Sequence, residues 1–339
     1  MNMRKTNNKT GENNMTTAQI YKKTFRFTLM KALTGFIGTV LIIGLTVLGF
    51  LLSAKLESGA RVGVCIGAFT VACVLAGLLS HFAGHLFRAG QIAMAAEGIV
   101  KGELPEDTFE EGKKRVRERF GTVAVFYAIE RVINAIVHQI TNGVTKVTNA
   151  ISTHSKNDAA NYVGAAINIF VSAVMAFLCS CCMGWVFVHP EDNPWRAACD
   201  GAIVYFKNWK DLLKNAGKVI AMALVSLIVL GGILFGLTCL VTSNMTSLDN
   251  MAAGLTAFCA EEMPDITLTA AEWVLVFKAV IAFILWIVVH SAFIDPFIMI
   301  SVMNRYLTAG IANPPARTAD RKLMELSRGY KKAIEKAAN

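Results

Sequence analysis

The sequence predicts an all-α integral membrane protein, a polytopic helical bundle of about six transmembrane spans. The 339 residues are 54% apolar and only 17% charged, whereas soluble chains are roughly 45–50% apolar and about 25% charged. A soluble core of this size would need a charged shell that this composition does not supply, which argues against an ordinary soluble enzyme. The apolar residues are also gathered into long runs, while the chain as a whole has a formal charge of +9.

Each span is predicted from a run of about 20 mostly apolar residues, the length with which an α-helix crosses the hydrocarbon layer. Five runs meet this requirement: residues 32–54, 62–87, 162–188, 219–242 and 273–302. The residues before the first run are polar, and no short apolar segment with a small-residue cleavage site follows them. We therefore expect no removable signal peptide and a first span that is retained.

A sixth segment, residues 122–141, has helical periodicity with two different faces. Its apolar face consists of Val123, Phe126, Ile129, Ile133, Ile136, Val137 and Ile140. Its polar side consists of Tyr127, Glu130, Asn134, His138 and Thr141, which recur at spacings of three and four residues. Such a helix can lie in the membrane interface, or it can cross the bilayer with its polar side turned towards a bundle interior.

The distribution of lysine and arginine favours a crossing. These residues are frequent at both ends of the chain and in residues 88–120 and 190–218, and they are absent from residues 244–272. The positive-inside rule then places 244–272 outside and the other four segments in the cytosol. Because cytosolic loops flank residues 162–188 on both sides, a further crossing is needed, and 122–141 can supply it. We expect six spans in the cell membrane with both ends cytosolic. There are two alternatives. Residues 122–141 could form a helix that lies on the membrane surface, or the third apolar run, residues 162–188, could be re-entrant.

The predicted organisation follows from these spans. It comprises a cytosolic amino-terminal segment (1–31), a transmembrane hairpin (32–87), a cytosolic helical loop (88–121), a transmembrane bundle (122–302) with a cytosolic elbow helix near 194–214, and a basic amphipathic tail (303–339). The tail has an apolar stripe formed by Leu323, Leu326, Tyr330 and Ile334. We expect this stripe to dock on the membrane surface or on the bundle.

Ionisable residues within the predicted spans are the candidates for a functional site. At about 1.5 Å per residue, His81, Glu130 and Asp295 lie about 9, 12 and 10 Å from the cytosolic boundary, on three different spans. Charged groups in hydrocarbon are costly, so a shared polar layer is expected, serving either as a solute pathway or as a buried structural network. The predicted pathway set is Glu130, Asp295, His81, His85, His290 and Asn134. Asp295 is followed by Pro296, which interrupts the last span and can expose backbone carbonyls.

Other kinds of site receive little support. His81 and His85 have the spacing of a metal half-site, but Phe82 stands where a zincin has glutamate, so no metal is expected. The eight cysteines form no disulfide framework, and we interpret Cys179, Cys181 and Cys182 as apolar filling. No phosphate loop, nucleophile elbow or dinucleotide fingerprint appears, so neither an enzyme nor a cofactor is expected.

The expected partners follow from the same patterns. The basic residues are spread over several loops without interleaved aromatic residues, so no nucleic acid is expected. Glycines at four-residue spacing, Gly59, Gly63 and Gly67 and also Gly232 and Gly236, permit close helix packing within one chain, or between chains in a homo-oligomer or with a membrane partner. The remaining expected partners are membrane lipids and a small polar solute.

The second half of the chain resembles choline transporter-like membrane proteins. Gly121-Thr122-Val123-Ala124 opens a helix, Ala197-Ala198-Cys199-Asp200-Gly201-Ala202 leads to Lys207-Asn208-Trp209, and the last span contains Phe293-Ile294-Asp295-Pro296-Phe297. The resemblance covers residues 120–307, and each motif is short. The family has more spans and a large outer loop in its first half, which this chain lacks. The resemblance implies movement of choline or a related amine, and Trp286, Trp185 and Phe293 are of the type that can face a quaternary ammonium.

Two functions are therefore carried forward from the sequence. The first is a transporter or permeation pathway for a small polar or cationic solute. The second is a membrane scaffold or accessory subunit that does not transport and whose amphipathic helices bind lipid or partner proteins.

Overall fold

The computed structural model describes residues 15–53, 58–121, 125, 127–136, 177, 179–262, 267–315 and 318–338. All regular elements in these ranges are helical. In chain order they are α1 (Thr17–Leu52), α2 (Ser58–Lys101), α3 (Thr108–Phe120), α4 (127–136), α5 (Cys179–Val188), α6 (Pro194–Ser226), α7 (Gly232–Val241), α8 (Thr246–Glu262), α9 (Ala270–Val289), α10 (Asp295–Ala312), α11 (Thr318–Leu326) and α12 (Arg328–Ala338). Two short π-helical turns, Leu227–Gly231 and His290–Ile294, join α6 to α7 and α9 to α10.

Four helical stretches among the described residues are long and apolar enough to cross a membrane. They are Thr17–Leu52, Ile66–Lys101, Ala221–Val241 and Ala270–Ala312. Only 6–13% of their most apolar windows is buried within the protein, so most of their side chains are free to face lipid. The predicted all-helical class is confirmed for the described residues, and these four stretches support a membrane-embedded protein. Residues 122–124, 126 and 137–141 and most of the segment 162–188 lie outside the described residues, and the count of six spans stays a prediction.

The chain divides into two compact units, the first comprising residues 1–216 and 296–339 and the second residues 217–295. In the first unit α1 and α2 form a hairpin. Its half nearest the connecting turn exposes large apolar side chains such as Phe36 and Phe69. Its other half is closely packed: the side chain of Gln91 donates a 3.0 Å hydrogen bond to Thr28.

The packed half of the hairpin belongs to a larger bundle, formed with α3, α4, α5, the start of α6 and α10. Small residues allow its helices to approach closely. The ring of Phe27 lies so near Gly90 and Gly112 that a Cβ on either glycine would be 2.5 Å from it. On the other side of the bundle, Trp185 packs directly against Gly310. We call this buried cluster the bundle.

Arg119, near the end of α3, ties that helix to the end of α5. Its guanidinium donates to the carbonyl oxygens of Val186 (3.0 Å), His189 (2.9 Å), Pro190 (3.0 Å) and Asp192 (2.8 Å). The last carbonyls of a helix have no partner within the helix, so one multidentate donor satisfies several acceptors together. Burial lowers the pKa of Arg119, and the nearby acidic side chains oppose that effect.

The tail helices α11 and α12 pack on α4 and on the start of α6. Of the two docking modes that the sequence allowed, the structure therefore shows packing on protein. The contact is a second buried cluster, which consists of Ile136, Cys199, Ala202, Ile203, Leu323, Tyr330 and Ala333. Burial raises the pKa of Cys199 to about 12, so this thiol stays protonated and unreactive at neutral pH.

A polar clamp holds the tail at the edge of this cluster. Asp320 accepts hydrogen bonds from Arg196 (3.0 Å) and from the hydroxyl of Tyr330 (2.5 Å). Arg196 also pairs with Asp200 at 2.8 Å. Burial, together with the bond to Asp320, raises the pKa of Tyr330 above its ordinary value. At the end of α12 the ammonium of Lys336 lies 4.4 Å from the ring centre of Trp195, a cation–π contact.

The second unit consists of the end of α6, α7, α8, α9 and the two π-helical turns. Thr269 and Glu272 begin α9 with a capping box, in which each side chain binds the other residue's backbone N–H. The sequence predicts a cytosolic elbow helix near 194–214. These residues are helical and continue without interruption to Ser226, and the cytosolic position of the elbow stays a prediction.

Candidate functional site

Four side chains of the second unit form a chain of polar contacts within the candidate spans. The indole Nε1 of Trp286 donates to Ser226 Oγ at 3.1 Å. Ser226 Oγ lies 3.0 Å from His290 Nδ1, and His290 Nε2 lies 3.3 Å from Asp295 Oδ1. We call this set the polar chain. It ends in a carboxylate whose side chain is 39% exposed, whereas the imidazole is only 12% exposed.

The two π-helical turns position the polar chain. Ser226 directly precedes the turn Leu227–Gly231, and His290 begins the turn His290–Ile294. A π-helical turn accommodates one extra residue and changes the direction in which the following side chains point. Asp295 directly follows the second turn, and Pro296 after it supplies no N–H to the preceding backbone. Turns of this kind occur frequently at functional sites in helices.

The hydrogen bonds are consistent with one tautomer of His290. When the ring proton is on Nε2, it faces Asp295 Oδ1 at 3.3 Å, and Nδ1 accepts from the hydroxyl of Ser226. The serine oxygen then accepts from Trp286, so every donor in the chain points towards the carboxylate. The indole ring of Trp286, at 5.0 Å between ring centres, lies beside the imidazole of His290.

The composition of the polar chain matches that of a serine hydrolase triad, but its geometry argues against that chemistry. Ser226 is buried, and the indole of Trp286 already occupies one acceptor position of its oxygen. The serine lies within continuous helix, where the backbone N–H groups bind carbonyls of the preceding turn and cannot converge to form an oxyanion hole. The arrangement is better suited to holding a charge than to attacking a carbonyl.

A second histidine–carboxylate pair lies in the first unit. His85 Nδ1 is 3.2 Å from Glu130 Oε2, and the glutamate side chain is 13% exposed. The ring of Tyr127 lies 5.1 Å from that of His85. Arg88, one turn further along α2, donates to Ser180 at 2.7 Å. This pair is therefore part of the polar boundary of a packed bundle.

The predicted site residues thus fall into two pairs, one in each unit. His85 pairs with Glu130, and His290 pairs with Asp295. The side chain of His81 lies outside the described residues. Asn134 is exposed. The shared depth of His81, Glu130 and Asp295 stays a prediction.

Two further expectations concern aromatic and sulfur side chains. Trp185 is only 3% exposed, and its ring stacks on His189 at 4.2 Å between ring centres, so it is a core residue. Cys181 and Cys182 are fully buried in the bundle, in agreement with their interpretation as apolar filling. No group of three or more potential metal ligands is found in the part of the chain that the structure describes.

Ser226 is the member of the polar chain that sequence reasoning missed. A single serine in an apolar run is common in membrane helices, because its hydroxyl can bond to the backbone of its own helix. The available signal was weak: Ser226 is the polar residue nearest the start of the run Ala221–Val241, and Trp286 lies four residues before His290 on one helical face. Only the packing of the two helices links them.

The second unit has a charge pattern opposite to that of the whole chain. Its basic residues other than histidine are Lys218 and Lys278. Its acidic residues are Asp249, Glu261, Glu262, Asp265, Glu272 and Asp295. In a protein whose formal charge is +9, this region is therefore acidic, and its field attracts cations.

Comparison with known proteins gives no further constraint: no family, no curated protein and no solved structure matches this chain.

Proposed function

We propose that the protein binds a small organic cation at the polar chain and moves it across the membrane. The observation that carries the proposal is the 39% exposed carboxylate of Asp295, which lies within a stretch of membrane-spanning length and beside an imidazole. Charged groups are costly in hydrocarbon, so additional positive charge beside this carboxylate stabilises it. A bound cation can supply that charge.

The charge of the second unit supports a cationic ligand. The five acidic residues between 244 and 272 have no basic neighbours in that segment. A surface of one sign raises the local concentration of ions of the opposite sign and speeds their arrival. A cation would therefore be concentrated near residues 244–272 of the second unit, and an anion would be depleted there.

The resemblance to choline transporter-like proteins suggests the kind of cation. It includes the segment Phe293-Ile294-Asp295-Pro296-Phe297, within which Asp295 follows the π-helical turn. Choline would place its quaternary ammonium beside the carboxylate, with the aromatic rings of Trp286 and Phe293 close by in the chain. Both chain ends are placed in the cytosol of a cell under this proposal.

Binding by the purified full-length protein in detergent tests the proposal. Choline is titrated by calorimetry, and 3,3-dimethyl-1-butanol, which has the same shape without the charge, is the comparison ligand. We expect the alcohol to bind at least tenfold more weakly, a difference of about 1.4 kcal/mol. Asp295→Asn should weaken choline binding by a similar factor, because it removes the charge and retains the shape.

Asp249→Asn is the matched control, because Asp249 is an exposed carboxylate of the same unit outside the polar chain. It should change choline affinity less than twofold in 0.15 M salt, where charges beyond about 8 Å are screened. Equal effects of the two substitutions would show that only the general acidity of the unit matters. Equal affinities for choline and its uncharged analogue would contradict the proposal directly.

Uptake into reconstituted vesicles separates transport from binding alone. Vesicles that contain the protein should accumulate labelled choline, and those that contain the Asp295→Asn variant should not. Binding without uptake would favour the second candidate, a scaffold or accessory subunit, for which the packed bundle and its docked tail would be the interacting part.

A further inference from the structure

We infer that the amphipathic segment after Gly121 does not cross the bilayer. It belongs instead to a water-facing bundle closed by the tail helices, and the chain crosses the membrane four times. The inference concerns topology and does not depend on cation binding. It removes Glu130 and Asn134 from the predicted pathway and leaves the polar chain of the second unit as its lining.

The first step concerns what the apolar face of α4 contacts. Ile129 and Ile133 are fully buried in the bundle, in one cluster with Phe109 and Val116 of α3. Helix α3 is highly charged, and its acidic and basic side chains pair along its surface, for example Lys113 with Glu110 at 2.6 Å. Such a surface requires water. The apolar face of α4 is therefore buried in the same cluster as a helix that lies outside the hydrocarbon.

The second step concerns depth. A helix that entered the hydrocarbon at residue 122 would have carried residue 136 about 21 Å inward, at about 1.5 Å per residue. Ile136 is instead buried against Tyr330 and Leu323 of the tail. A Cβ on Gly329 would lie 3.4 Å from Ala135. The tail exposes Arg328, Lys331 and Lys332 to solvent, and charged side chains are not accommodated at the centre of a bilayer.

The third step concerns the exposed side of α4. Arg131 and Asn134 are both exposed. In a crossing helix these positions would be about 14 and 18 Å deep, by the same rise per residue. An arginine at mid-depth costs at least about 2.5–3.5 kcal/mol. On the surface of a water-facing bundle both side chains are simply solvated.

The fourth step concerns the number of membrane crossings. The segments before and after residues 162–188 are both cytosolic. If residues 122–141 do not cross the membrane, a single crossing by residues 162–188 is therefore excluded. The described part of that run, α5, is buried by protein along Cys179–Val186, which suits the centre of a bundle. The four long apolar stretches found among the described residues then supply the four crossings that we infer. They place residues 102–216 and the tail on one side, so that Lys146 and Lys156 join the other basic segments.

Amine labelling of the full-length protein in sealed vesicles tests this topology. A membrane-impermeant reagent is applied from one side or from both, and the modified lysines are identified by mass spectrometry. The variant Asn134→Lys places an amine on the exposed side of α4. Native Lys114, exposed on α3, marks the bundle side. The variant Asn250→Lys marks the opposite side, because residue 250 is exposed in the outer segment.

We expect the amine introduced by N134K to react from the same side as Lys114, together with Lys146 and Lys156. Reaction from the side marked by N250K would overturn the inference. Protection of the introduced amine from both sides would also overturn it, because that result places α4 in hydrocarbon. None of these outcomes involves choline, so failure of this inference and failure of the proposed function can be told apart.

Discussion

Two histidine–carboxylate pairs occur in this protein, and their surroundings differ. His85 and Glu130 approach to 3.2 Å in the first unit, and His290 and Asp295 approach to 3.3 Å in the second. The Glu130 side chain retains 13% of its exposure and borders a closely packed bundle, whereas that of Asp295 retains 39%. Pairing chemistry alone therefore does not distinguish a structural pair from a binding site. The difference lies in how much of the carboxylate is left for a ligand to contact.

The same contrast applies to the other polar groups of the two units. In the bundle, one guanidinium of Arg119 serves four carbonyl oxygens, and Asp320 accepts from two helices. In the second unit the polar chain includes the carboxylate of Asp295, whose side chain is 39% exposed. Substitutions in the bundle should therefore lower stability and spare binding, and substitutions in the polar chain should do the reverse.

The largest expected effect is that of Arg119→Met. It leaves several carbonyls at the end of α5 without a donor, and we expect a loss of about 2–4 kcal/mol in the free energy of unfolding. The apparent Tm in detergent, followed by circular dichroism, measures the loss. Arg119→Lys should restore only a small part of it, because an ammonium does not reproduce the planar five-donor fork. A variant as stable as the parent would contradict the role assigned to this side chain.

The next effect compares the two pairs directly, through Glu130→Gln and Asp295→Asn. We expect Glu130→Gln to lower stability by about 1–3 kcal/mol, because the mostly buried carboxylate that lies 3.2 Å from His85 loses its charge. Its choline affinity should remain within twofold of that of the parent. Asp295→Asn should show the opposite pattern, with binding at least tenfold weaker and a smaller change in Tm. Loss of choline binding in Glu130→Gln would remove the distinction between the pairs.

A third test uses glycines in the two units. Gly112→Ala puts a Cβ 2.5 Å from the Phe27 ring and 3.0 Å from the carbonyl oxygen of Gly90, and overpacking of this kind costs about 1–3 kcal/mol. Gly236→Ala meets nothing within 4 Å and should stabilise α7 by about 0.5–1 kcal/mol through helix propensity. The stability of both variants is measured by thermal unfolding. A destabilising Gly236→Ala that also changes oligomeric state would indicate that this face packs against another chain.

The smallest effect concerns alkaline pH and the tail. The pKa of Tyr330 is raised in the folded protein by burial and by its bond to Asp320. The stabilisation is therefore complete below the ordinary tyrosine value of about 10 and is lost as pH rises above it. We expect limited proteolysis of the tail to accelerate above about pH 10. Tyr330→Phe should lower the free energy of unfolding by about 1 kcal/mol at neutral pH. It should also make the rate of tail proteolysis less dependent on pH above about pH 10. An unchanged profile would assign the alkaline effect to another group.

Hydropathy could predict the four long helices, because membrane-length runs of exposed apolar residues leave a clear signal. Periodicity also identified the face of α4 that is buried, including Ile129, Ile133 and Ile136. It could not say what covers that face, because an apolar helix face is the same whether lipid, another span or a bundle lies against it. Sequence spacing likewise gave Asp295 and His290 but not Ser226, which lies 64 residues from His290 along the chain.

The docking of α11 and α12 has a consequence for how the protein is made. Residues 318–338 are synthesised after every element that they cover, so the apolar strip around Ile136 and Ile203 stays open to water until they emerge. Chains released early would display that strip to chaperones and proteases, and to one another. A nascent protein with intact membrane insertion could therefore still be recognised as unfinished by the cell's quality control.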